Sequence, residues 1–364
     1  MKNFLSKFML PFLAFLFIAS AMATQVAPVL NISEPVAFVG ISATIVAIQL
    51  VSPVTSFIHM GVETEIWVAY IKEKLFKVNK FLEFATNHDD KVLAGKVVHL
   101  PQAGASATIV KNRSVYPGVA ARRTDTDINY SLDHYTSDPT HIPLNELAEV
   151  DYDKIDSVIG QDMGALVEFV ADDMILKWLN AIPVVGSTIM TSGADSANTL
   201  PSGGTGTRKM LTESDIRRAV KLIRNQNYRE QLYCQLSVNM MDELKESLSV
   251  NQHRDFSAAY DFERGIVGKL HGVIFVDERS HVATFDNAKA VRPLGATGAA
   301  TDRDAGFMWG ASAVARALGE TKLFQDTDNP LYYGDIYSGL VRAGGRRTRS
   351  DNKGIVAILQ EHGA

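Results

Sequence analysis

Nine histidines and one cysteine are the first places to look for chemistry in this 364-residue chain. The histidines make no His-Glu-x-x-His and no paired spacing on one helix face, the arrangements that hold zinc. His134 and His141 stand in polar surroundings that suit solvated side chains better than metal ligands. Gly203-Gly204-Thr205-Gly206-Thr207-Arg208-Lys209 is glycine-rich and basic, as a phosphate cradle must be. It lacks the Walker spacing and a buried strand before it. Asp125-Thr126-Asp127-Ile128-Asn129 and Asp326-Thr327-Asp328-Asn329 begin like calcium loops but have neither the central Gly nor the distal Glu, so both read as turns or caps. No Gly-x-Ser-x-Gly elbow is present. Cys234, inside YREQLYCQLSVNM, reads as a small buried apolar residue; a single cysteine excludes an intrachain disulfide. These residues call for no catalysis, no cofactor and no metal.

The element that must position everything else is Asp151–Ala181. Ile155, Ile159, Met163, Leu166, Val170, Met174 and Trp178 recur at gaps of three and four, the period of one helix face. Asp151 or Asp153 suits its start, and Asn180 with Pro183 ends it. Such a helix spans ~45 Å, more than a small core needs. Glu63–Phe84 is a second amphipathic stretch, and Asn87–Asp90 breaks it.

Between these helices lies a β-rich excursion, Lys91–Leu144. Lys96–Leu100 and Ala107–Val110 read as strands. Asn112–Thr126, with Arg122 and Arg123, reads as exposed. Ile128, Tyr130 and Leu132 alternate with polar residues, the two-residue period of a half-buried strand. A ribbon this thin is marginal alone and needs another surface. Past the long helix, Pro183–Lys209 reads as a flexible loop. Thr212–Asn225 is a helix with a near capping box from Thr212 and Asp215. Leu232–Met241 is a buried strand, Asp242–Leu248 a short helix, and Gly265–Val276 a strand, turn and strand. Asp304–Leu318 is expected to be a short apolar helix around Trp309, Val314 and Ala317. Tyr332–Ala343 and Gly354–Leu359 close the chain as β segments, with Gly344-Gly345 and a basic run (Arg342, Arg346, Arg347, Arg349, Lys353) between them.

The net charge of −5 demands no nucleic-acid partner. The N-terminal 60 residues differ from the rest: Glu34 is the only charge between Lys7 and Glu63. MKNFLSK, the apolar run FMLPFLAFLFIAS and Ala21-Met22-Ala23 together have the form of a secretory signal. Val36–Ile58 is long enough to span a membrane but is interrupted by Gly40, Ser52 and Pro53. The competing reading is an apolar arm, removed or packed away when subunits assemble.

The order of segments resembles the major capsid protein of tailed bacteriophages, with the Hong Kong 97-type shell fold. Three stretches carry the likeness: HIPLNELAEVDYDK (His141–Lys154), RGIVGKLHGVIFV (Arg264–Val276) with Asp277 and Ser280 after it, and NPLYYGDIYSGLVRAGGRRTRSDNKGIVAILQ (Asn329–Gln360). The resemblance covers Gly61–Gly363. It implies an α+β fold with an N-arm at 61–90 and an extended β-hairpin E-loop at 91–144. A peripheral domain would combine 145–182, 261–286 and 332–360; an axial domain would combine 183–260 and 287–331. It implies many identical copies in pentamers and hexamers, scaffolding and portal proteins as partners, and double-stranded DNA enclosed non-specifically. Residues 1–60 depart from the charged, helical segment that many relatives carry there.

On this reading Ile128, Tyr130, Leu132, Arg122, Arg123, Arg346 and Arg347 are the inter-subunit contacts. Replacing the three ribbon residues by Ser is expected to leave a folded subunit unable to form shells. The alternatives are an exported or membrane-tethered surface protein and an enzyme whose site the sequence hides. Mass spectrometry of the mature product separates two fates of the leading segment: a start near residue 24 marks export, and one near residue 60 marks an arm removed at assembly.

Overall fold

The computed structural model describes residues 67–363 except 94–95, 103, 105–107, 115, 119, 121, 144–153 and 197–203. The apolar segment before Gly61 and the candidate caps Asp151 and Asp153 lie outside the described residues. Helix α1 (67–78) runs through a 3-10 turn (Lys80–Phe84) into β1 (Thr86–Asn87). Strands β2 (Val92–Leu93), β3 (Val97–Gln102) and β4 (Thr126–Ser131) form a three-stranded ribbon, followed by β5 (Asp133–Thr136) and β6 (Thr140–Pro143). The long helix is α2 (Lys154–Leu179). Short strands β7 (Thr188–Met190), β8 (Asp195–Ser196) and β9 (Arg208–Lys209) precede α3 (Glu213–Asn225). Then come β10 (Leu232–Ser237), α4 (Val238–Ser247), α5 (Val250–Ser257), β11 (Ile266–Leu270), β12 (Val273–Arg279) and β13 (Ala283–Phe285). Strands β14 (Arg303–Gly310), β15 (Val314–Asn329), β16 (Gly334–Arg347) and β17 (Ile355–Leu359) end the chain.

Two sheets carry the architecture. Strands β1, β15 and β16 run in that order, and β5 and β6 both pair with the far edge of β16. The second sheet has the order β11-β12-β10-β14-β17-β7, with β13 beside β14. Helices α3, α4 and α5 cover one face of this second sheet. Ile216, Ile223, Met240, Leu244 and Phe256 interlock there with Cys234, Leu236, Phe275, Met308 and Ile358. The capping box opening α3 forms as its sequence predicts.

Helix α2 buries Ile159, Met163, Leu166, Val170, Met174 and Trp178, and also Val167, Ala171 and Ile175 between them. The stripe is wide because the helix lies on a sheet rather than on one neighbouring helix. Two glycines of β16 let it come close. A Cβ on Gly339 would meet Met163 Sδ at 2.5 Å, and one on Gly345 would run into Met174 Sδ and Trp178 Nε1. Trp178 donates from Nε1 to the Ala315 carbonyl at 3.0 Å and packs edge-on against Phe81 and Phe307.

Three expectations are corrected. Asp304–Leu318 is not a helix but β14, a 3-10 turn (Ala311–Ala313) and the start of β15. Every residue of β14 is buried, so the polar alternation that marks a strand is missing from it. Gly344-Gly345 does not interrupt the tail but lies inside β16. Thr108–Val110 is not a strand. Strands β11, β12 and β17 lie with β10 in the seven-stranded sheet, whereas β15 pairs along β16.

The end of α2 exposes carbonyls with no partner in the helix. Arg347 supplies donors: Nη1 to Trp178 O at 2.9 Å and Asn180 O at 2.7 Å, Nη2 to Ala181 O at 3.4 Å. A cation there also suits the helix dipole. Arg347→Ala is expected to lower stability by about 1.5–3 kcal/mol, the range for hydrogen bonds from a charged group, as read by urea unfolding. Arg347→Lys should recover only part, since an ammonium cannot fork across three carbonyls.

Candidate assembly surface

The three ribbon residues expected to meet a neighbour point into their own chain. Ile128, Tyr130 and Leu132 are each 8% exposed and pack with Val98, Leu100 and Ala317. The register places Tyr130 opposite Val98 and Ile128 opposite Leu100. Tyr130 Oη lies 3.4 Å from His88 Nδ1. Burial pushes the Tyr130 phenol up and the His88 imidazole down, so both stay neutral. The correction has a specific cause: Ala317 belongs to β15, and a strand there supplies the surface that a helix could not.

The arginines divide. Arg346 donates to Asn129 O at 2.6 Å, locking β16 to the ribbon, and Arg347 caps α2. Both therefore serve intrachain contacts. Arg122 and Arg123 are exposed, and Arg123 pairs with Asp125 at 2.6 Å in solvent. Such an open pair contributes little to stability. Asp125 Oδ1 also accepts Gly104 N–H at 2.8 Å and closes the neck of the hairpin. That bond, with Arg123 second, holds its carboxyl below the usual range.

Beyond the neck the hairpin carries the side chains that sequence reading passed over. Ile109 is 95% exposed, Tyr116 77% and Val110 about half, beside Lys111, Arg113, Arg122 and Arg123. Their signal in the sequence is apolar residues set singly in a polar, basic stretch with no period to bury them. A second exposed group lies at the β15–β16 turn, where Leu331 and Tyr333 stand above 80% exposure and Tyr332 packs near His141. Beside α2 runs a groove of about 570 Å³ floored by Tyr135, Leu166 and the half-exposed Phe169, with Asp138 and Asp162 at its edge. One wall is braced by Lys177, whose Nζ reaches Asp133 at 2.6 Å, Tyr135 Oη at 2.8 Å and Asp173 at 3.0 Å.

The residues screened for chemistry are occupied structurally. Arg208 is buried, and its guanidinium donates to the carbonyls of Thr205, Thr207, Ala300 and Asp302, leaving no cradle for a phosphate. Cys234 is fully buried, and burial pushes its thiol up, away from the reactive thiolate. Asp127 pairs with His99 at 2.8 Å. Among the described residues no group of three His, Cys, Asp or Glu is placed to hold a metal ion.

No family model and no curated protein matches the chain. Solved structures do. The capsid of the cyanophage P-SCSP1u aligns with a TM-score of 0.53 over 77% of this chain and 87% of its own, at 18% identity. The cyanophage Pam1 capsid asymmetric unit gives 0.54 over 78% and 92%, at 12% identity. The capsid of Ralstonia phage GP4 gives 0.53 over 77% and 88%, at 12% identity.

The chain has the phage capsid fold.

The α+β capsid fold expected from the order of segments is borne out, at identities low enough that only architecture is shared. Within the capsid fold the ribbon core is intramolecular. Replacing Ile128, Tyr130 and Leu132 together by Ser should therefore destabilise the subunit itself, by about 1.5–3 kcal/mol for each buried side chain lost. The urea midpoint should fall and β3–β4 should become protease-sensitive. A variant as stable as the parent would return these residues to the outer surface.

Proposed function

We propose that the chain is the major capsid protein of a tailed phage or prophage. It assembles through pentamers and hexamers into an icosahedral shell that encloses double-stranded DNA without reading its sequence. The observation that carries this is the capsid fold, shared over more than three quarters of the chain. The supporting physics is that Ile109 and Tyr116 bury little, and Val110 only about half, within their own subunit. Set on a neighbouring copy they gain ~25 cal/mol per Å² of apolar surface, and symmetry repeats each modest contact around a closed shell.

On this reading 61–90 is the N-arm and 91–144 the E-loop, with its tip rather than its base reaching a neighbour. Helix α2 with the five-stranded sheet is the peripheral domain. The seven-stranded sheet with α3, α4 and α5 is the axial domain. The subunit is structural and needs no catalysis; scaffolding and portal proteins are its further partners, and the virion, assembled in the host cytoplasm, is its place. Among the described residues no helix is long and apolar enough to cross a membrane; the exported or membrane-associated alternative is read from residues 1–60.

Electron microscopy of the purified protein tests the reading, with closed particles of hundreds of copies expected. Ile109→Ser, Val110→Ser and Tyr116→Ser should each change the unfolding free energy by no more than ~0.5 kcal/mol, as exposed substitutions do. The three combined should abolish particles. A parent that sediments only as a compact monomer overturns the proposal.

A further inference from the structure

Helix α3 turns its apolar side to the seven-stranded sheet and a row of cations outward. Ile216, Ala219 and Ile223 are buried, while Arg217, Lys221 and Arg224 are exposed. Gaps of four and three keep these cations on one face, in a row ~10 Å long at the standard rise. Arg224 is tied down: its Nη1 donates to Tyr228 O at 3.0 Å and Glu230 O at 3.1 Å. Arg217, Lys221 and, just past the helix, Arg229 are exposed and meet no carboxylate among the described residues.

The basic run near the C-terminus supplies the rest. Arg346 and Arg347 are used inside the chain, but Arg349 and Lys353 are exposed. The loop that carries them is pinned to the end of α3. Gln226 Oε1 accepts the Gly354 N–H at 3.1 Å, and Gln226 Nε2 donates to Gly186 O at 2.8 Å. Gly354, at φ 87°, sits so near that a Cβ there would come within 2.7 Å of the Tyr228 ring. Two basic segments far apart in the chain thus share one surface.

The acids on this surface are already engaged. Asp351 lies between Arg349 and Lys353, at 2.7 Å and 3.4 Å. Glu230 accepts Tyr228 Oη–H at 2.7 Å. At the start of α3, Asp215 is buried and pairs with Arg218 at 2.9 Å, and Glu213 pairs with His271. The helix dipole accounts for Arg224 in the last turn. It does not account for Arg217 or for the loop cations, which gather here in a chain of net charge −5.

We propose that this surface is where the subunit lies against the enclosed double-stranded DNA, with Arg217, Lys221, Arg224, Arg229, Arg349 and Lys353 set opposite backbone phosphates. The inference rests on the capsid reading for the presence of that DNA. A duplex carries one charge per ~1.7 Å of axis, so a row of this length meets several phosphates. Guanidinium groups, the majority here, match phosphate with a planar fork. Single strands are held by stacking on open rings; Tyr228, the aromatic residue of this surface, is half-buried with its hydroxyl engaged, so the duplex fits better. Phosphate contacts fix position and read no bases.

Fluorescence anisotropy tests it, using full-length subunits separated from particles by gel filtration and two labelled duplexes of unrelated sequence. Both should bind equally, and more weakly as salt rises from about 50 to 200 mM. Arg217→Gln, Lys221→Gln and Arg229→Gln combined should make the slope of log Kd against log salt shallower by about 2–3, with the urea midpoint unchanged. Closed particles should not bind duplex added from outside. No binding by the parent, or an unchanged slope in the variant, overturns the proposal. Stronger competition by poly-L-glutamate than by duplex marks an acidic protein as the partner and overturns it. Particles that bind added duplex as subunits do turn the face outward and overturn it too. A parent that binds duplex with the expected slope but forms no particles supports this surface and counts against the capsid reading instead.

Discussion

The close seating of α2 on β16 is the contact on which the rest of the subunit depends. It works because Gly339 and Gly345 leave room for Met163, Met174 and Trp178 where any side chain would collide. Once seated, Trp178 reaches Ala315 and touches Phe81 and Phe307, so one indole joins the helix, the 3-10 turn and both sheets. The apolar stripe supplies the driving force; the glycines decide how near the helix may come.

This seating also determines what remains at the surface. With β15 and β16 held beneath α2, Ala317 and the backbone near Gly344 form a floor for the ribbon, and Ile128, Tyr130 and Leu132 settle on it. The ribbon base is thereby completed inside one chain, and only the segment beyond the Asp125–Gly104 neck projects. Exposed apolar side chains that cannot reach their own core are the kind of surface that association covers. This division leaves a base held rigid within its own chain and a tip that is not.

Much was legible before any coordinates. The three- and four-residue spacing of Asp151–Ala181 marked the long helix, Thr212 and Asp215 its shorter counterpart, and the pattern of Gly265–Val276 a strand, turn and strand. Each of these signals is local: periodicity, capping and turn chemistry act over a few residues and are written in the order of the chain.

What sequence could not show was which strand lies beside which. Arg303–Gly310 is buried on both faces, so its pattern has no period and resembles a buried helix; only its neighbours β10 and β17 make it a strand. The destination of Arg347 and the floor beneath Leu132 are contacts between residues far apart in the chain. Spacing carries no information about them. Local hydrogen bonding and hydrophobic period set the elements, whereas close packing between distant segments set their partners, their exposure and the protonation of the groups trapped between them.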